Sequence, residues 1–265
     1  MSSVLPESLT EAIDREVPIP YHYQLRELLR DEIVAGRWAV NERLPSEREL
    51  CEAFDLSRTT IREAIDALVN EGLLRREKGR GTFVAEPKMV ESILWSSPFS
   101  GSMAEQGISI KTRVLRLEVV IPPYVVAQEL RLASDEPVIV LDRVRSAFNE
   151  PILVSTAYVP HKLCPTLVND DLVHNSLYQL LGQKYGLTIA QAKRYLEAIA
   201  ANEFEAELLN IRPGTPLMLI ESTVYMEDGI PLEYFKSRHR GDRTRFLVGT
   251  YKPVMPGRSD SGGAA

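Results

Sequence analysis

Cysteine is nearly absent: Cys51 and Cys164 are the two in 265 residues, far apart and in no metal-ligand spacing. A disulfide framework is therefore not implied, no metal is predicted, and a reducing compartment suits the chain. No apolar run approaches the ~18 residues a membrane-spanning helix needs. The N-terminus, with Pro6, Glu7, Glu11 and Asp14, lacks a basic stretch followed by an apolar one, so no signal peptide is read there. The cytoplasm is the expected compartment, and no membrane partner is expected. Positive charge is not in excess either, since the formal net charge is −6, against the basic balance usual for a nucleic-acid binder. A negative total excludes a uniformly basic surface but not a local one, because fields depend on where the charges sit. Also missing are a Ser-His-Asp order, a metal-ligand cluster among His22, His161, His174 and His239, and a Gly-rich phosphate-cradling loop in the second half. Neither a catalytic constellation nor a cofactor is predicted.

What is present is enough apolar material, 44% of residues, for two cores, and one stretch with dense local signals, Leu44 to Val84. Ser46 followed by Glu49 is a capping-box pair, so a short helix starts at Ser46 and ends near Phe54. After Asp55-Leu56 a second cap, Ser57, opens a longer helix with Ile61, Ala64, Ile65 and Leu68 at helical spacing. Two helices joined by so tight a turn make a helix-turn-helix. The second helix carries Arg58, Thr59, Thr60 and Arg62 away from the apolar stripe, and the two arginines, four apart, point the same way. A guanidinium fits guanine O6/N7 or a phosphate. Gly72 stops this helix; Leu73 to Glu77 and Thr82 to Ala85 read as strands around the turn Gly79-Arg80-Gly81, a wing with Arg80 at its tip set for the minor groove. Upstream, Leu25, Leu28, Leu29 and Ile33 predict a supporting helix from Tyr21 to Ala35.

The segment from Pro20 to Val84 resembles the winged helix-turn-helix of GntR-type bacterial transcriptional regulators. Tyr23-Gln24-Leu25, the run Leu44 to Leu50, Ser57 to Arg62 and Gly79 to Val84 carry the resemblance. It implies DNA contacts from Arg48, Arg58, Thr59, Thr60, Arg62 and Gly81. Arg48 also admits a plainer reading, as the partner of a helix carboxylate one turn away.

From Phe99 the pattern changes to strands and short helices. Leu115, Leu117, Val119 and Ile121 predict one buried strand face; Pro122-Pro123 opens a helix to Leu132; Val138 to Ala147 and Ile152 to Val159 predict a hairpin. A weaker copy follows, in which Ala127, Leu130, Leu132, Pro137, Val138 and Leu141 correspond to Ala206, Leu209, Ile211, Pro216, Leu217 and Ile220. Two such units predict a pseudo-symmetric antiparallel sheet with helices on one side. Between them a helix over Asn175 to Tyr185 and a strand near Thr188 to Ala200 are expected. The whole reads as α+β, divided into an arm (1–18), a winged domain (19–87), a connector (88–98) in which Ile93, Leu94 and Trp95 are apolar enough to dock, a second domain (99–253) and a Gly- and Ser-rich disordered tail (254–265).

Arg143 and Arg145 share a strand face with Ile139 and Leu141, yet their repeat counterparts are Ser222 and Val224, so the fold itself does not demand arginine there. Paired guanidiniums at the end of an apolar face suit a cavity that holds an anion; a solvated strand end or an inter-strand ion pair is the alternative.

The region from about Pro98 to Lys252 resembles the UTRA effector domain of the HutC subfamily of GntR regulators, whose fold is like that of chorismate lyase. Pro137 to Arg145, Tyr158-Val159-Pro160, Asp228 to Pro231, Arg240 to Arg243 and Phe246 carry this resemblance. It implies a phosphate or carboxylate effector held by Arg143, Arg145 and the loop at Phe99-Ser100, with Ser100 at a helix N-terminus. Ser155 stands where amino-sugar-phosphate sensors carry Glu, and His239 where a Tyr is common; His239 reads equally as a donor to ligand or an exposed strand residue. The function implied is a ligand-responsive repressor, a homodimer released from palindromic double-stranded operator DNA by an anionic metabolite. The rivals are a chorismate-lyase-like enzyme and an effector-independent DNA binder.

Arg58→Ala is expected to remove about 1–3 kcal/mol of discrimination between operator and unrelated DNA without unfolding the protein. Fluorescence anisotropy on both DNAs checks it, and an unchanged sequence preference overturns the placement of this helix in a groove.

Overall fold

The computed structural model describes residues 12–92 and 99–248. Residues 1–11 of the expected arm, Ile93, Leu94 and Trp95 of the connector, and the tail lie outside the described residues. Three helices, α1 (Tyr21–Val34), α2 (Glu47–Phe54) and α3 (Arg58–Asn70), precede an antiparallel pair, β1 (Leu74–Glu77) and β2 (Gly81–Val84). The local signals act as expected. The Glu49 N–H donates to Ser46 Oγ at 3.2 Å and the Ser46 N–H to the Glu49 carboxylate at 2.8 Å. The Thr60 N–H donates to Ser57 Oγ at 3.2 Å. Asp55 reverses the chain between the helices at φ 52°, a conformation its short polar side chain tolerates. Ile61, Ala64, Ile65 and Leu68 are buried against Leu25, Leu29, Leu50 and Phe54. Ile13 joins that core, and Gln24 binds the Asp14 N–H and carbonyl at 2.9 Å each, so the described part of the arm docks on α1.

Beyond the wing, β3 (Met89–Ser92) pairs in parallel with β10 (Thr244–Leu247), and α4 (Phe99–Glu105) follows. The main sheet holds β4 (Lys111–Val120), β5 (Val138–Ala147), β6 (Glu150–Pro160), β7 (Gln191–Ala200), β8 (Pro216–Tyr225) and β9 (Pro231–Arg240) in the order β4-β5-β6-β9-β8-β7, every pair antiparallel. With α5 (Tyr124–Glu129), α6 (Leu177–Gln183) and α7 (Glu203–Leu209), the repeat becomes visible as α5-β5-β6 and α7-β8-β9, joined at the central β6–β9 pair.

Two expectations are corrected. The two repeat helices lie on one side of the sheet, as expected, but α6 lies on the other. Val126 and Leu130 of the α5 region pack on Val138 and Tyr234, and Ala206 and Leu209 of α7 on Val144, Val154 and Leu217. Leu177 and Leu181 of α6 pack on Ile139, Leu141, Ala157 and Val159, which alternation places on the opposite face. Val138, Ile139, Val140 and Leu141 are all buried, so both faces of the sheet need cover. Nor do Leu115, Leu117, Val119 and Ile121 share a buried face. The β4–β5 register shifts between Val114 and Arg116; Val114 and Leu117 pack inward, while Leu115, Val119 and Ile121 are exposed. An extra residue at a bulge exchanges the two faces of the strand beyond it. Three elements are also shorter than read from sequence: α5 stops at Glu129, with Arg131 at φ 51°, α6 spans only Leu177–Gln183, and β7 begins at Gln191. Among the described residues no helix is long and apolar enough to cross a membrane.

Gly72, just past α3, lies buried at φ 78°, and a β-carbon there would stand 2.0 Å from the Asp242 carbonyl oxygen. The end of α3 thus rests on the backbone of the second domain, at a spacing only glycine permits. Gly79, at φ 76°, has nothing within 4 Å of such a carbon. Gly79→Ala should therefore lose only the roughly 1–2 kcal/mol of left-handed strain, whereas Gly72→Ala should lose clearly more. Paired thermal melts check this, and equal losses would show that the contact with Asp242 does not constrain the fold.

Candidate functional site

On the winged domain the exposed end of α3 presents Arg58 and Thr59 to solvent, and Arg58 has no ion-pair partner among the described residues. Arg62 is exposed but lies 3.2 Å from Glu47, which Arg76 of β1 approaches at 3.4 Å. The Thr60 hydroxyl is 2.8 Å from Ser57 Oγ, so it serves the helix cap. Arg48, also exposed, forms an ion pair with Glu52 at 2.7 Å. Arg80, at the wing tip, pairs with Glu77 and lies 5.6 Å from the Phe83 ring centre. Gly81 has φ 124°, and a β-carbon there would meet Arg43 Nε at 2.8 Å. Arg43, bridged through its backbone to Phe83, is an exposed basic residue of this face that reading the sequence missed. It precedes the helix-turn-helix in the chain, and only the bridge carries it to the wing.

In the second domain the sheet face opposite α5 and α7 curls around a cavity of about 870 Å³, part of it open to solvent. Strand registers set its wall in rows. Arg145, Leu153 and His239 lie abreast on β5, β6 and β9; Arg143, Ser155, Ser237 and Ile220 form the next row; Ala157, Phe235 and Arg194 belong to the third, in register with Leu141 and Ser222. Phe99 and Ser102 of α4, Tyr178 of α6 and Glu91 of β3 close the space from the other side. Arg143 and Arg145 are 6% and 8% exposed, which discards the solvated strand end. His239 is 2% exposed, which discards the exposed strand residue. Phe99 lines the cavity with its ring 5.0 Å from Arg145 Cζ. The seven-residue α4 begins at Phe99, so Ser100 is its second residue and not its cap, and the Ser100 side chain lies outside the described residues. Ser102, one turn on, reaches the cavity.

The electrostatics divide the cavity into two ends. At one, the Tyr178 hydroxyl donates to Glu233 at 2.5 Å beside Arg143. Burial raises the Glu233 carboxyl, against the pull of Tyr178 and Arg143, and burial raises Tyr178 well above its usual range. At the other, His239 Nε2 is 2.8 Å from Ser237 Oγ and its Nδ1 is 3.3 Å from Glu91. Burial, and then Arg145, depress His239 to about 3, while burial pushes Glu91 up to about 7, so near neutrality this contact joins a neutral imidazole to a half-ionised acid. Burial pulls both arginines down, Arg145 to about 9 with Arg143 adding to the effect, and guanidiniums so placed stay protonated at neutral pH. Nε and Nη1 of Arg143 are buried without hydrogen-bond partners. Two like charges drawn out of water, with unused donors on Arg143, favour any anion that reaches them. Glu91, Tyr178, Arg194, Glu233 and Ser237 were not found from sequence. Glu233 and Ser237 share β9, but Glu91, Tyr178 and Arg194 come from β3, α6 and β7, which only the tertiary structure brings to them.

Comparison with known proteins gives concordant results. Residues 22–84 match the bacterial regulatory proteins of the gntR family, and residues 105–245 match the UTRA domain. The chain is 36% identical over 235 residues to the HTH-type transcriptional repressor NagR of Bacillus subtilis (strain 168), covering 89% of this chain and 96% of that protein. It is 31% identical over 242 residues to the HTH-type transcriptional regulator Rv0792c of Mycobacterium tuberculosis, covering 90% and 88%. Among solved structures, PhnF from Mycobacterium smegmatis superposes with a TM-score of 0.62 at 26% identity, covering 85% of this chain and 98% of PhnF.

Tyr178→Phe strands the Glu233 carboxylate without its donor. An acid whose folded-state pKa is raised binds more protons folded than unfolded, so the stability it supports below its unfolded value is lost as pH rises. The variant should therefore be destabilised by about 1–3 kcal/mol near pH 8 and much less near pH 5. Denaturant melts at both pH values check it; a loss independent of pH would show that the hydroxyl does not serve Glu233.

Proposed function

The chain belongs to the GntR family of bacterial regulators and carries a UTRA effector domain, and from that premise we propose how it works. It is a DNA-binding transcriptional repressor that responds to a small-molecule effector. The effector is an anion, a phosphate or carboxylate, held by Arg143 and Arg145. The observation that carries this reading is the burial of two adjacent guanidiniums in a cavity wall where the repeat counterparts, Ser222 and Val224, are uncharged and also buried. Ser155 and Ser237, in the row of Arg143, and His239, in the row of Arg145, supply hydroxyl and imidazole groups from β6 and β9 to the rest of the ligand.

The protein acts as a cytoplasmic homodimer on a palindromic operator, since one winged helix reads a half-site and two-fold DNA sites match two-fold proteins. Arg58, Thr59, Arg62 and Arg48 face the groove, with Arg80, Gly81 and Arg43 at the wing. Arg48, Arg62 and Arg80 are exposed in their pairs with nearby carboxylates, and such surface pairs are weak and screened by salt, so a phosphate readily replaces the carboxylate. A retained lyase activity would leave the winged helix without a role, and a binder without an effector would leave the buried arginines without one.

A thermal-shift screen of phosphorylated and carboxylated metabolites identifies the effector, because a ligand at ~100 times its dissociation constant adds about 2.7 kcal/mol. Against that ligand, the double replacement Arg143→Ser and Arg145→Val removes two charge-assisted bonds of about 1.5–3 kcal/mol each, so affinity should fall by two or more decades. Operator affinity should stay within a few-fold. Calorimetry that finds the effector bound equally well by the double variant overturns the anion site.

A further inference from the structure

Most of the cavity wall comes from the sheet, α4 and α6, but Glu91 comes from β3, the strand that leads out of the wing. Val84 belongs to the winged-domain core and Met89 to a core of the effector domain, so the segment between them ties the two together. β3 is fastened in turn: the Met89 N–H donates to the Arg243 carbonyl at 2.9 Å, and Lys88 Nζ donates to the Gly241 carbonyl at 2.7 Å. The Glu91 side chain enters the cavity, where its Oε2 is buried without a hydrogen-bond partner, 3.3 Å from His239 Nδ1. It shares an electrostatic interaction with Arg145 and Arg194.

We infer that Glu91 is a resident anion, which neutralises the Arg145 end of the cavity in the absence of effector and must be protonated or turned out before an entering anion can take Arg145. Ligand arrival then acts directly on the strand that holds the winged helix. The inference rests on the reading of this cavity as an anion site.

Two anions cannot share Arg145 in a space of low dielectric without strong repulsion. Burial raises the Glu91 carboxyl to about 7, with Arg145 and Arg194 opposing that rise. An anion that takes over Arg145 cancels part of this opposition, so the carboxyl goes higher still and binding takes up a proton. Affinity for an anion of fixed charge therefore falls as pH rises through about 7. The charged and titratable groups facing Glu91 are Arg145 from β5, Arg194 from β7 and His239 from β9. α4 contributes Phe99 and Ser102 to the same wall, and β10 sets Phe246 opposite Glu91, none of which titrates. His239, depressed to about 3, does not change charge near neutrality. Glu233, at the Arg143 end, is common to wild type and variant, so a comparison of the two isolates Glu91.

Sulfate is the probe, because it remains a dianion across the range, and calorimetry on the full chain at constant ionic strength is the measurement. Wild-type protein should bind sulfate roughly tenfold more weakly near pH 8 than near pH 6, as follows from an acid at about 7 that must be protonated. Glu91→Gln should show no such slope and bind roughly tenfold tighter than wild type near pH 8. Wild-type heats in two buffers of different ionisation enthalpy should reveal net proton uptake, a readout that needs no variant. Absence of proton uptake, or the same pH profile in wild type and Glu91→Gln, overturns the role of Glu91. The reading beneath it is tested separately, by Arg143→Ser with Arg145→Val. If that protein no longer binds sulfate, the anion site stands whatever Glu91 does. Undiminished binding there, or none by either wild type or Glu91→Gln, overturns both.

Discussion

The guanidinium of Arg240 forks onto the Asp242 carboxylate at 3.0 and 2.6 Å and donates a further N–H to the Pro151 carbonyl at 3.0 Å. Burial works to raise the Asp242 carboxyl, but the bonds and charge of Arg240, with Arg243 behind it, outweigh burial and hold it below its usual range. A planar fork on a carboxylate fixes direction as well as distance. It therefore sets the turn between β9 and β10, and much else hangs on that turn. Arg243 reaches from it to Glu150 at 2.8 Å, Lys88 and Met89 bind its carbonyls, and the Asp242 carbonyl meets Gly72 at the end of α3. One ion pair thus joins the β5–β6 hairpin, the strand leaving the wing and the end of α3. His239, which lines the cavity, is the residue before it.

The cavity shows the opposite condition, charge gathered without full compensation. Arg143 and Arg145 are adjacent on one face and buried, with Glu233 and Glu91 as the nearby carboxylates and both of these raised by burial. Burial that raises these acids works against the charge they could offer, and a guanidinium whose acid takes up a proton is left more fully to its own desolvation. A hydrophobic cluster in the same place would stabilise the sheet more simply, as buried ion pairs seldom outperform well-packed apolar residues. The retained charges make sense as a site for something that arrives from outside.

On the winged domain Arg48, Arg62 and Arg80 are exposed and compensated, each with a carboxylate within reach, in Glu52, Glu47 and Glu77. This is how a chain of net charge −6 can present a basic face. The acids sit beside the arginines on short elements and hold them weakly, since the guanidiniums are solvated and salt screens the pairing. Arg58 has no such partner among the described residues, and it stands at the first position of α3.

What the sequence by itself determined was the part that depends on neighbours within a few positions. A capping box needs Ser46 and Glu49, a helical stripe needs Ile61, Ala64, Ile65 and Leu68, and a tight turn needs Gly79 to Gly81; each is complete within about a dozen residues, so each could be read directly. The repeat was legible for the same reason, because two copies of one local pattern recur in order, and it singled out Arg143 and Arg145. The tertiary structure decided whatever depends on register and on which elements meet. A bulge after Val114 exchanged the faces of β4, and apolar residues on both faces of β5 put helices on both sides of the sheet. Glu91, Tyr178, Arg194 and Glu233 became one cavity wall only when four separate elements closed on the same space. Burial made the remaining choices, discarding the exposed reading of His239 and the solvated reading of the two arginines, because it is a property of the packed whole and of no single stretch of chain.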